Sequence, residues 1–439
     1  MKNAILLLVL FCSLSVCKGQ ANNEYLAEGS LKITRQDYEG AVTSLNQFIK
    51  ADTNQATAYY LRDYAKVFMR DAPGGISDLN KAIKLNPKDT NAYCLRAYAR
   101  YSMSDTDGAI SDYGKAIEAN PHMFLAYNSR AALRYYKKDH KGAFEDYSKA
   151  IQIDSNVAEA YGNRAWARND MHDYKGAIAD YGKAIQLDPR NPQNYKNRAA
   201  LKFIVEDYKG SVSDCEIALR YNPNFAKAYA QRGAAKNGLK DYANAVNDLN
   251  KSIALDTTNA GAYNSRAYAK RALKDYAGAM TDENKALALE PNDASYLTNR
   301  AEIKYELADY SGALKDLDKA ISIDPNYAQA YHKRGDIKNK TQNYKGAIED
   351  YDKAISLDPS IKESYTNRGN AKSNIRDNNG ALADFNQVVA MDPKDAIGYY
   401  NRALAKIDLM QKDSACDDLE KAVALGNKRA EEMMKKYCQ

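Results

Sequence analysis

The sequence repeats itself every 34 residues, and this period limits the possible folds more than any other feature of the chain. Twelve units follow one another from Asn22 to Arg429 without insertion or deletion. With Asn22 as position 1 of repeat 1, position 4 is Tyr in eleven units and position 20 is Ala in ten, Gly75 and Ser211 being the exceptions. A chain of 439 residues is too long for one hydrophobic core, so the period indicates stacked repeats rather than one globular enzyme domain.

Each repeat is predicted to form two helices. In repeat 5, residues 160–171 and 175–187 carry apolar side chains three and four positions apart and are rich in good helix formers. The break between them reads HDYKG, and a proline at position 32 follows the second helix in eight repeats. One such pair cannot bury its apolar stripe alone, so neighbouring pairs must stack.

The residues at fixed positions resemble the tetratricopeptide repeat family. The matching features are an aromatic at position 4, a small residue at 8, Tyr at 17, Ala at 20 and 27, an aromatic or Leu at 24, and Pro at 32. In repeat 5 they include Ala165, Tyr174, Ala177 and Tyr181. The resemblance covers residues 22–429 and implies an all-α fold, a right-handed superhelical solenoid of antiparallel helix pairs whose first helices line a concave groove. Residues 430–439 read as the end of a C-terminal capping helix.

Position 7 departs from the family pattern, because it is Arg rather than Leu in repeats 2 to 12, and position 11 is basic in all twelve. Position 23 is Asp in the same eleven repeats, whereas repeat 1 has lost both partners, with Glu28 and Ser44 in their places. We predict that each Arg pairs with the Asp of its own hairpin rather than with another repeat. The alternative is a track for an anionic ligand, although the matched Asp would cancel its charge. This structural ion-pair ladder is represented by Arg164 with Asp180, Arg198 with Asp214, and Arg334 with Asp350.

Positions 5, 9, 12 and 13 of the first helix are those that the resemblance assigns to the groove. They include nine aromatic residues in repeats 2 to 6 and become mixed and polar in the C-terminal half, as at Arg271, Glu302, Asp336 and Lys340. Clustered Tyr and Trp favour a recognition surface for a protein or a peptide, and carbohydrate stacking on the same rings is a second option. The alternative is that these rings fill the inside of the curve against each other. The candidate ligand-binding groove comprises Tyr60, Tyr64, Tyr98, Tyr101, Tyr135, Tyr136, Trp166 and Phe203.

The N-terminus is typical of a signal peptide. Residues 1–19 contain Lys2, a short apolar run and the small residues Cys17 and Gly19 before a cut at Gln20, which predicts export to the periplasm or secretion. The alternatives are a lipoprotein with its anchor at Cys17, which would be the only membrane attachment, and a retained anchor. The short leader and the Asn-, Lys- and Tyr-rich composition indicate a bacterial origin.

The net charge argues against one class of function, nucleic-acid binding, and the cysteine positions indicate a possible disulfide. The formal charge of +6 falls to +4 without Lys2 and Lys18, which argues against a surface that binds nucleic acid through its phosphates. Of the four remaining cysteines, Cys416 and Cys438 lie 22 residues apart across the last hairpin, where a disulfide would clamp the C-terminal end. Two reduced, unrelated thiols are the alternative.

The sequence contains no recognisable catalytic motif. The four histidines fall at different positions of the repeat and share no face, and no phosphate loop or nucleophile motif is present. SDTDG at residues 104–108 lacks the ligand ladder of a calcium loop, so we expect no metal, no cofactor and no catalytic residue. The resulting hypothesis is a non-enzymatic scaffold or assembly protein of the cell envelope that binds a protein or peptide. A glycan- or peptidoglycan-associated binder is the alternative, and the oligomeric state stays open.

Overall fold

The computed structural model describes residues 22–69 and 71–438, and within them it contains 25 helices and no strand. The all-α prediction is therefore confirmed, while the predicted signal peptide and Cys17 lie outside the described residues. The first helices of repeats 1 to 12 span Asn22–Thr34, Ala56–Phe68, Thr90–Ser102, Phe124–Tyr136, Ala158–Asp170, Pro192–Ile204, Ala226–Gly238, Ala260–Ala272, Ala294–Glu306, Ala328–Lys340, Lys362–Asn374 and Ala396–Asp408. The second helices span Tyr38–Ala51, Ala72–Leu85, Thr106–Ala119, His140–Ile153, Tyr174–Leu187, Tyr208–Tyr221, Tyr242–Leu255, Tyr276–Leu289, Tyr310–Ile323, Tyr344–Leu357, Asn378–Met391 and Lys412–Ala424.

In eight of the described repeats the second helix begins at a capping Asp carboxylate. In repeat 5, Asp173 Oδ1 accepts a hydrogen bond from the Gly176 backbone N–H at 3.0 Å, which satisfies one of the free donors at the helix start. A Cβ at Gly176 would lie 2.2 Å from the Asp173 carboxylate, so this close approach requires glycine. Repeat 7 shows the converse. Its Asn244 replaces the glycine, and Asp241 accepts from the Asn244 side chain at 3.0 Å instead of capping the backbone.

Each hairpin whose turn lies wholly within the described residues has one turn residue in the left-handed region. In repeat 5 this residue is His172, with φ of 62°, and the next N–H, of Asp173, donates back to the Arg168 carbonyl at 2.9 Å. This hydrogen bond, between residues five apart in sequence, ends the first helix, and the chain reverses direction within three residues. The non-glycine residues with positive φ are Gln36, Ser104, Lys138, His172, Glu206, Lys240, Lys274, Ala308, Gln342, Arg376 and Met410, all at position 15.

The core is built from small residues at the helix crossing and larger residues between repeats. In repeat 5, Ala165 of the first helix and Ala177 of the second are buried where the two helices meet. Tyr181 packs with both and with Leu201 of repeat 6. The Tyr181 hydroxyl oxygen accepts from Asn197 Nδ2 at 3.1 Å, also in repeat 6. Because each repeat completes its apolar contacts with the next one, the pairs stabilise one another.

The chain divides into two compact units, one ending at Asp207 and the other beginning at Tyr208. The division falls in the turn of repeat 6, and each unit is a stack of antiparallel helix pairs. One continuous solenoid over residues 22–429 stays a prediction. None of the helices in the described part of the chain combines the length and apolar character needed to cross a membrane.

The C-terminal unit ends in a further helix, Lys428–Tyr437. Its Ala430 is buried and packs with Leu419 of repeat 12, so the helix covers the last hairpin as an end cap. The structure joins Cys416 to Cys438 by a disulfide, with the two Cα atoms 5.7 Å apart. This bond ties the cap to the second helix of repeat 12.

Candidate functional site

The ion pairs of the ladder lie between the two helices of a hairpin. In repeat 5, Arg164 donates from Nη2 to Asp180 Oδ1 at 2.6 Å and from Nε to Oδ2 at 2.9 Å, which is a bidentate contact. Arg168 at position 11 adds a third contact, its Nη1 lying 3.0 Å from Asp180 Oδ2. A buried carboxylate is thus held by two cations. The same Arg–Asp contact joins Arg62 to Asp78, Arg96 to Asp112, Arg130 to Asp146, Arg232 to Asp248, Arg266 to Asp282, Arg300 to Asp316, Arg334 to Asp350, Arg368 to Asp384 and Arg402 to Asp418.

Most of the described arginines also reach the preceding repeat, which adds a contact to the predicted pairing with the Asp of their own hairpin. Arg334 Nη1 lies 2.7 Å from Asp318 Oδ1 at position 25 of repeat 9, and its hydrogen bond to Asp350 raises the pKa of the guanidinium. Arg164 Nη1 donates to Ser148 of repeat 4 at 3.2 Å. The ladder therefore couples successive repeats as well as the two helices of one repeat.

The arginines of the ladder also make contacts with aromatic rings. The Arg164 guanidinium lies over the Tyr161 ring at 5.6 Å, so its face as well as its edge is occupied. Arg198 precedes the division at Asp207 and Asp214 follows it, so their pairing stays a prediction. Because their guanidinium groups contact carboxylates, side-chain amides and aromatic rings of the protein itself, the fold explains the presence of the described arginines. An anionic ligand is not required to account for them.

The predicted groove residues separate into buried and exposed members. Tyr60 and Tyr64 belong to the core, at 6% and 0% exposure, so they cannot form a recognition surface in this conformation. Tyr98, Tyr135 and Phe203 are half-buried. Tyr101, Tyr136 and Trp166 are exposed by 42%, 73% and 48%.

Tyr135, Tyr136 and Trp166 form a surface that we call the aromatic patch. The Tyr135 and Trp166 rings meet edge to face, with centroids 6.5 Å apart, and Tyr136 follows Tyr135 at the end of the same helix. The Tyr135 hydroxyl donates to Asp170 Oδ2 at 2.6 Å, and Asn169 Nδ2 donates to Asp170 Oδ1 at 3.0 Å. Burial and this carboxylate together raise the pKa of Tyr135. The patch is therefore a preorganised surface with apolar faces and a fixed carboxylate beside them.

A second feature lies in the C-terminal unit, where a cavity of about 340 Å³ opens between repeats 8 and 11. We call it the polar cavity. Glu302 accepts from Arg271 at 2.6 Å and from Lys333 at 2.7 Å, so one carboxylate joins two cations across the wall. Asp336 accepts from the Tyr351 hydroxyl and from Asn367 Nδ2, both at 2.8 Å. The sequence places these residues at polar groove positions but does not show that they enclose a space.

Family profiles match the chain over much of its length. Tetratricopeptide repeat profiles match residues 94–158, 158–191, 226–259 and 362–395, and TPR repeat profiles match 301–340 and 335–374. The chain belongs to the tetratricopeptide repeat (TPR) family. No curated protein matches it.

Solved structures share the TPR fold. The APC/C hetero-tetramer Cut9–Hcn1 is 14% identical with a TM-score of 0.52, the alignment covering 100% of this chain and 99% of that chain. A tetratricopeptide repeat protein from Parabacteroides merdae ATCC 43184 is 19% identical with a TM-score of 0.50, over 56% of this chain and 98% of that chain. At these identities the likeness shows the fold alone.

Two histidines of this TPR chain have structural explanations. His332 is buried, with Nδ1 2.8 Å from Ser364 Oγ and Nε2 3.3 Å from Asp336 Oδ2, and burial lowers its pKa. His140 lies beside Tyr135, with ring centroids 5.3 Å apart. Within residues 22–69 and 71–438, no group of three His, Cys, Asp or Glu side chains is placed to hold a metal ion. What the site offers chemically is stacking, hydrogen bonding and ion pairing.

Proposed function

We propose that the protein is a non-enzymatic scaffold of the cell envelope that holds a segment of a partner protein on the first-helix face of its repeats. TPR stacks are scaffolds typical of protein–protein interaction, because the stacked helices offer an extended surface. The observation that carries the proposal is the aromatic patch. Trp166 is exposed by 48% and Tyr136 by 73%, although the fold buries most of its other large rings wholly or in part.

The geometry of the patch supports binding more than packing. The contact between Tyr135 and Asp170 fixes one ring edge-on to Trp166, so little side-chain entropy is lost when a partner covers the surface. Exposed Tyr and Trp rings are the side chains that most often dominate protein interfaces. A partner that presents apolar side chains to the rings and an N–H donor to Asp170 would match both parts of the patch.

The second candidate function is glycan binding, and one observation favours it. An exposed Trp166 ring stands near the carboxylate of Asp170, and a sugar ring can stack on the first while a hydroxyl donates to the second. Peptidoglycan would be the ligand in an envelope protein. The aromatic rings alone do not distinguish glycan binding from peptide binding, so the capture experiment below is designed to distinguish them.

The test compares two double variants in one capture experiment. Tyr136→Ala/Trp166→Ala removes the exposed rings, and the control Tyr25→Ala/Leu31→Ala removes two exposed apolar side chains of repeat 1, at 44% and 48% exposure. A photocrosslinking side chain placed at position 136 should join the chain to one envelope protein, and the patch variant should lower the capture of that protein about tenfold while the control does not. Retention on insoluble peptidoglycan, lost in the patch variant alone, would instead establish the glycan function.

Export is part of the proposal and has its own measurement. Sequencing of the mature N-terminus should give Gln20 if the predicted signal peptidase site is used. Fatty-acid labelling that disappears in Cys17→Ser would show the lipoprotein instead. An uncleaved chain recovered from the cytoplasm would contradict the envelope role.

A further inference from the structure

The first helices of repeats 8 and 9 carry an aromatic ring and a carboxylate that share one cation. Arg271, at position 12 of repeat 8, places its guanidinium 5.6 Å from the centroid of the Tyr268 ring, at position 9 of the same helix. Its Nη1 also lies 2.6 Å from Glu302 Oε2, at position 9 of repeat 9. Here the chain supplies its own arginine to a ring and a carboxylate together.

The aromatic patch presents the same two groups without the cation. Trp166 takes position 9 of repeat 5, and Asp170, four residues later at the end of the helix, lies on the same helix face. Position 12 is the short Asn169, whose amide donates to Asp170. Among the residues that the structure describes, no Arg or Lys lies over the Trp166 ring or forms an ion pair with Asp170. The position that Arg271 fills in repeat 8 therefore has no cationic counterpart in repeat 5.

The Asp170 carboxylate accepts hydrogen bonds from neutral groups and stays open to a further donor. The Tyr135 hydroxyl donates to Oδ2 and the Asn169 amide to Oδ1, which uses two of about four lone-pair sites. His140 Nδ1 lies 3.5 Å from Oδ2 and makes no hydrogen bond. The Asp170 side chain is exposed by 32%, so a ligand that covers Trp166 also reaches this carboxylate.

The electrostatics of the patch favour a cation. Two basic residues adjacent to it in sequence are bound to other carboxylates, Lys137 to Asp107 at 2.6 Å and Arg168 to Asp180 at 3.0 Å. The first helix of repeat 5 ends at Asp170, so its carbonyl end adds partial negative charge beside the carboxylate. The exposed face of an indole ring attracts a cation as well. Ring, carboxylate and helix end thus all select for the same charge.

We propose that the aromatic patch binds an arginine side chain of the partner segment, with the guanidinium stacked on Trp166 and donating to Asp170. The inference rests on the proposed function, because the partner segment supplies the arginine. A planar guanidinium suits the site better than an ammonium, since its face lies on a ring while its edge donates to a carboxylate. Arg271 makes this pair of contacts within the chain itself.

The test uses Trp166 as its reporter, because it is the only tryptophan in the sequence. The probes are N-acetyl-argininamide and its neutral counterpart N-acetyl-citrullinamide, each titrated into the full chain. The arginine probe should change the tryptophan fluorescence saturably, and the citrulline probe should bind about tenfold more weakly. Equal binding of the two probes would overturn the proposal.

A matched pair of charge variants assigns the preference to Asp170. Asp170→Asn should remove most of the difference between the two probes, since the amide oxygen still accepts from Tyr135 but the negative charge is lost. Glu159→Gln removes an exposed acid at the other end of the same helix and should keep the difference. Equal losses in both variants would show that the helix charge acts at a distance and that no arginine contacts Asp170.

Two variants at position 12 of repeat 5 test where the guanidinium lies. Asn169→Arg should lay the chain's own guanidinium over Trp166, as Arg271 lies over Tyr268, and lower the affinity for the arginine probe about tenfold. Asn169→Gln is the control and should bind the probe as wild type does. Undiminished binding to Asn169→Arg would overturn the stacked position.

Failure of this inference and failure of the proposed function give different results. If the double variant of the patch lowers protein capture and Asp170→Asn does not, the partner binds without an arginine, and the inference alone is overturned. If the arginine probe binds but neither variant lowers capture, the arginine site stands and the scaffold function fails. Saturation by chitotriose, with no response to the arginine probe, would assign the patch to a glycan and overturn the inference.

Discussion

Repeats 5 and 8 share the same framework but treat buried carboxylates in opposite ways. In repeat 5, Asp180 is buried between Arg164 and Arg168, and the next residue is Tyr181. In repeat 8, Asp282 has the equivalent pair of cations, but the next residue is Glu283. Glu283 is fully buried, and neither carboxylate oxygen has a hydrogen-bond partner.

This comparison shows two ways in which the fold accommodates a buried acid. Asp180 contacts two cations, which compensate the desolvation of its carboxylate. Glu283 has no such compensation, and burial raises its pKa to about 8, so the protonated form predominates at neutral pH. The first acid holds two helices together, while the second occupies a position that Tyr, Leu, Phe or Cys fills in the other repeats. Removing one should cost stability and removing the other should add to it.

The largest effect is expected for Asp180→Ala. The change leaves Arg164 and Arg168 buried in part without their carboxylate, and the free energy of unfolding should fall by about 3 to 5 kcal/mol. Urea denaturation of this variant beside Lys183→Ala, which alters an exposed residue of the same helix, measures the difference. Equal losses in the two variants would remove the stabilising role of the ladder.

Glu283→Leu should have the opposite sign and depend on pH. Between the ordinary pKa of 4.5 and the folded value of about 8, the folded state keeps a proton that the unfolded state releases, so wild-type stability falls as pH rises through this window. The variant should lack this slope and gain roughly 2 to 4 kcal/mol over wild type at pH 8. Urea midpoints at pH 5 and pH 8 test it, and a wild-type midpoint that does not fall would show that Glu283 has a partner.

Repeat 2 extends the comparison, because it contains another buried acid without a partner. Asp63 takes position 8, usually a small residue, and a Cβ on Gly75 would lie 2.2 Å from its Oδ1. Gly75→Ala alone should cost about 1 to 3 kcal/mol through this clash. In an Asp63→Ala background the same change should stabilise by about 0.5 to 1 kcal/mol, because alanine suits a helix better. Additive effects in this double-mutant cycle would contradict the contact.

The smallest effect on stability is expected for substitutions in the turns of repeats 5 and 8. They test whether the two repeats differ in side chains and not in backbone conformation. His172 and Lys274 occupy the left-handed turn position of the two repeats, with φ of 62° and 65°. Replacing either by Gly should raise the thermal midpoint by a similar amount, corresponding to about 0.5 to 1 kcal/mol. A gain in one repeat and a loss in the other would show that the turns are not equivalent.

The sequence predicted the repeat, the helix pairs and the family because a period of 34 residues repeats the same local chemistry. The family resemblance is confirmed, and the structure places the described Arg and Asp residues of the ladder face to face. Contacts between repeats were harder to predict, since the Arg164 contact with Ser148 depends on how one pair stacks on the next. Tyr64 and Trp166 both stand at position 9, yet one is fully buried and the other half exposed. Position in the repeat does not settle exposure when neighbouring side chains differ in size.

The cavity illustrates the same limit. Position 24 is Leu in repeats 1, 2, 7, 9 and 12, but of these residues Leu317 of repeat 9 alone lines the polar cavity. Leu249 packs against Gly233, where a Cβ would lie 2.6 Å from its side chain. A void therefore follows from several neighbours together, and a list of substitutions in the sequence does not reveal it.

The disulfide between Cys416 and Cys438 gives the chain two unlike ends. In a stack the outermost helices lack one neighbour and fray first, but the last helix is fastened covalently to repeat 12. Among the described residues no disulfide fastens repeat 1, and Glu28 and Ser44 replace the Arg–Asp pair of the later repeats. A protease that attacks transiently opened ends should therefore shorten an oxidised chain from its amino-terminal side, and a reductant should make the carboxyl-terminal side vulnerable as well.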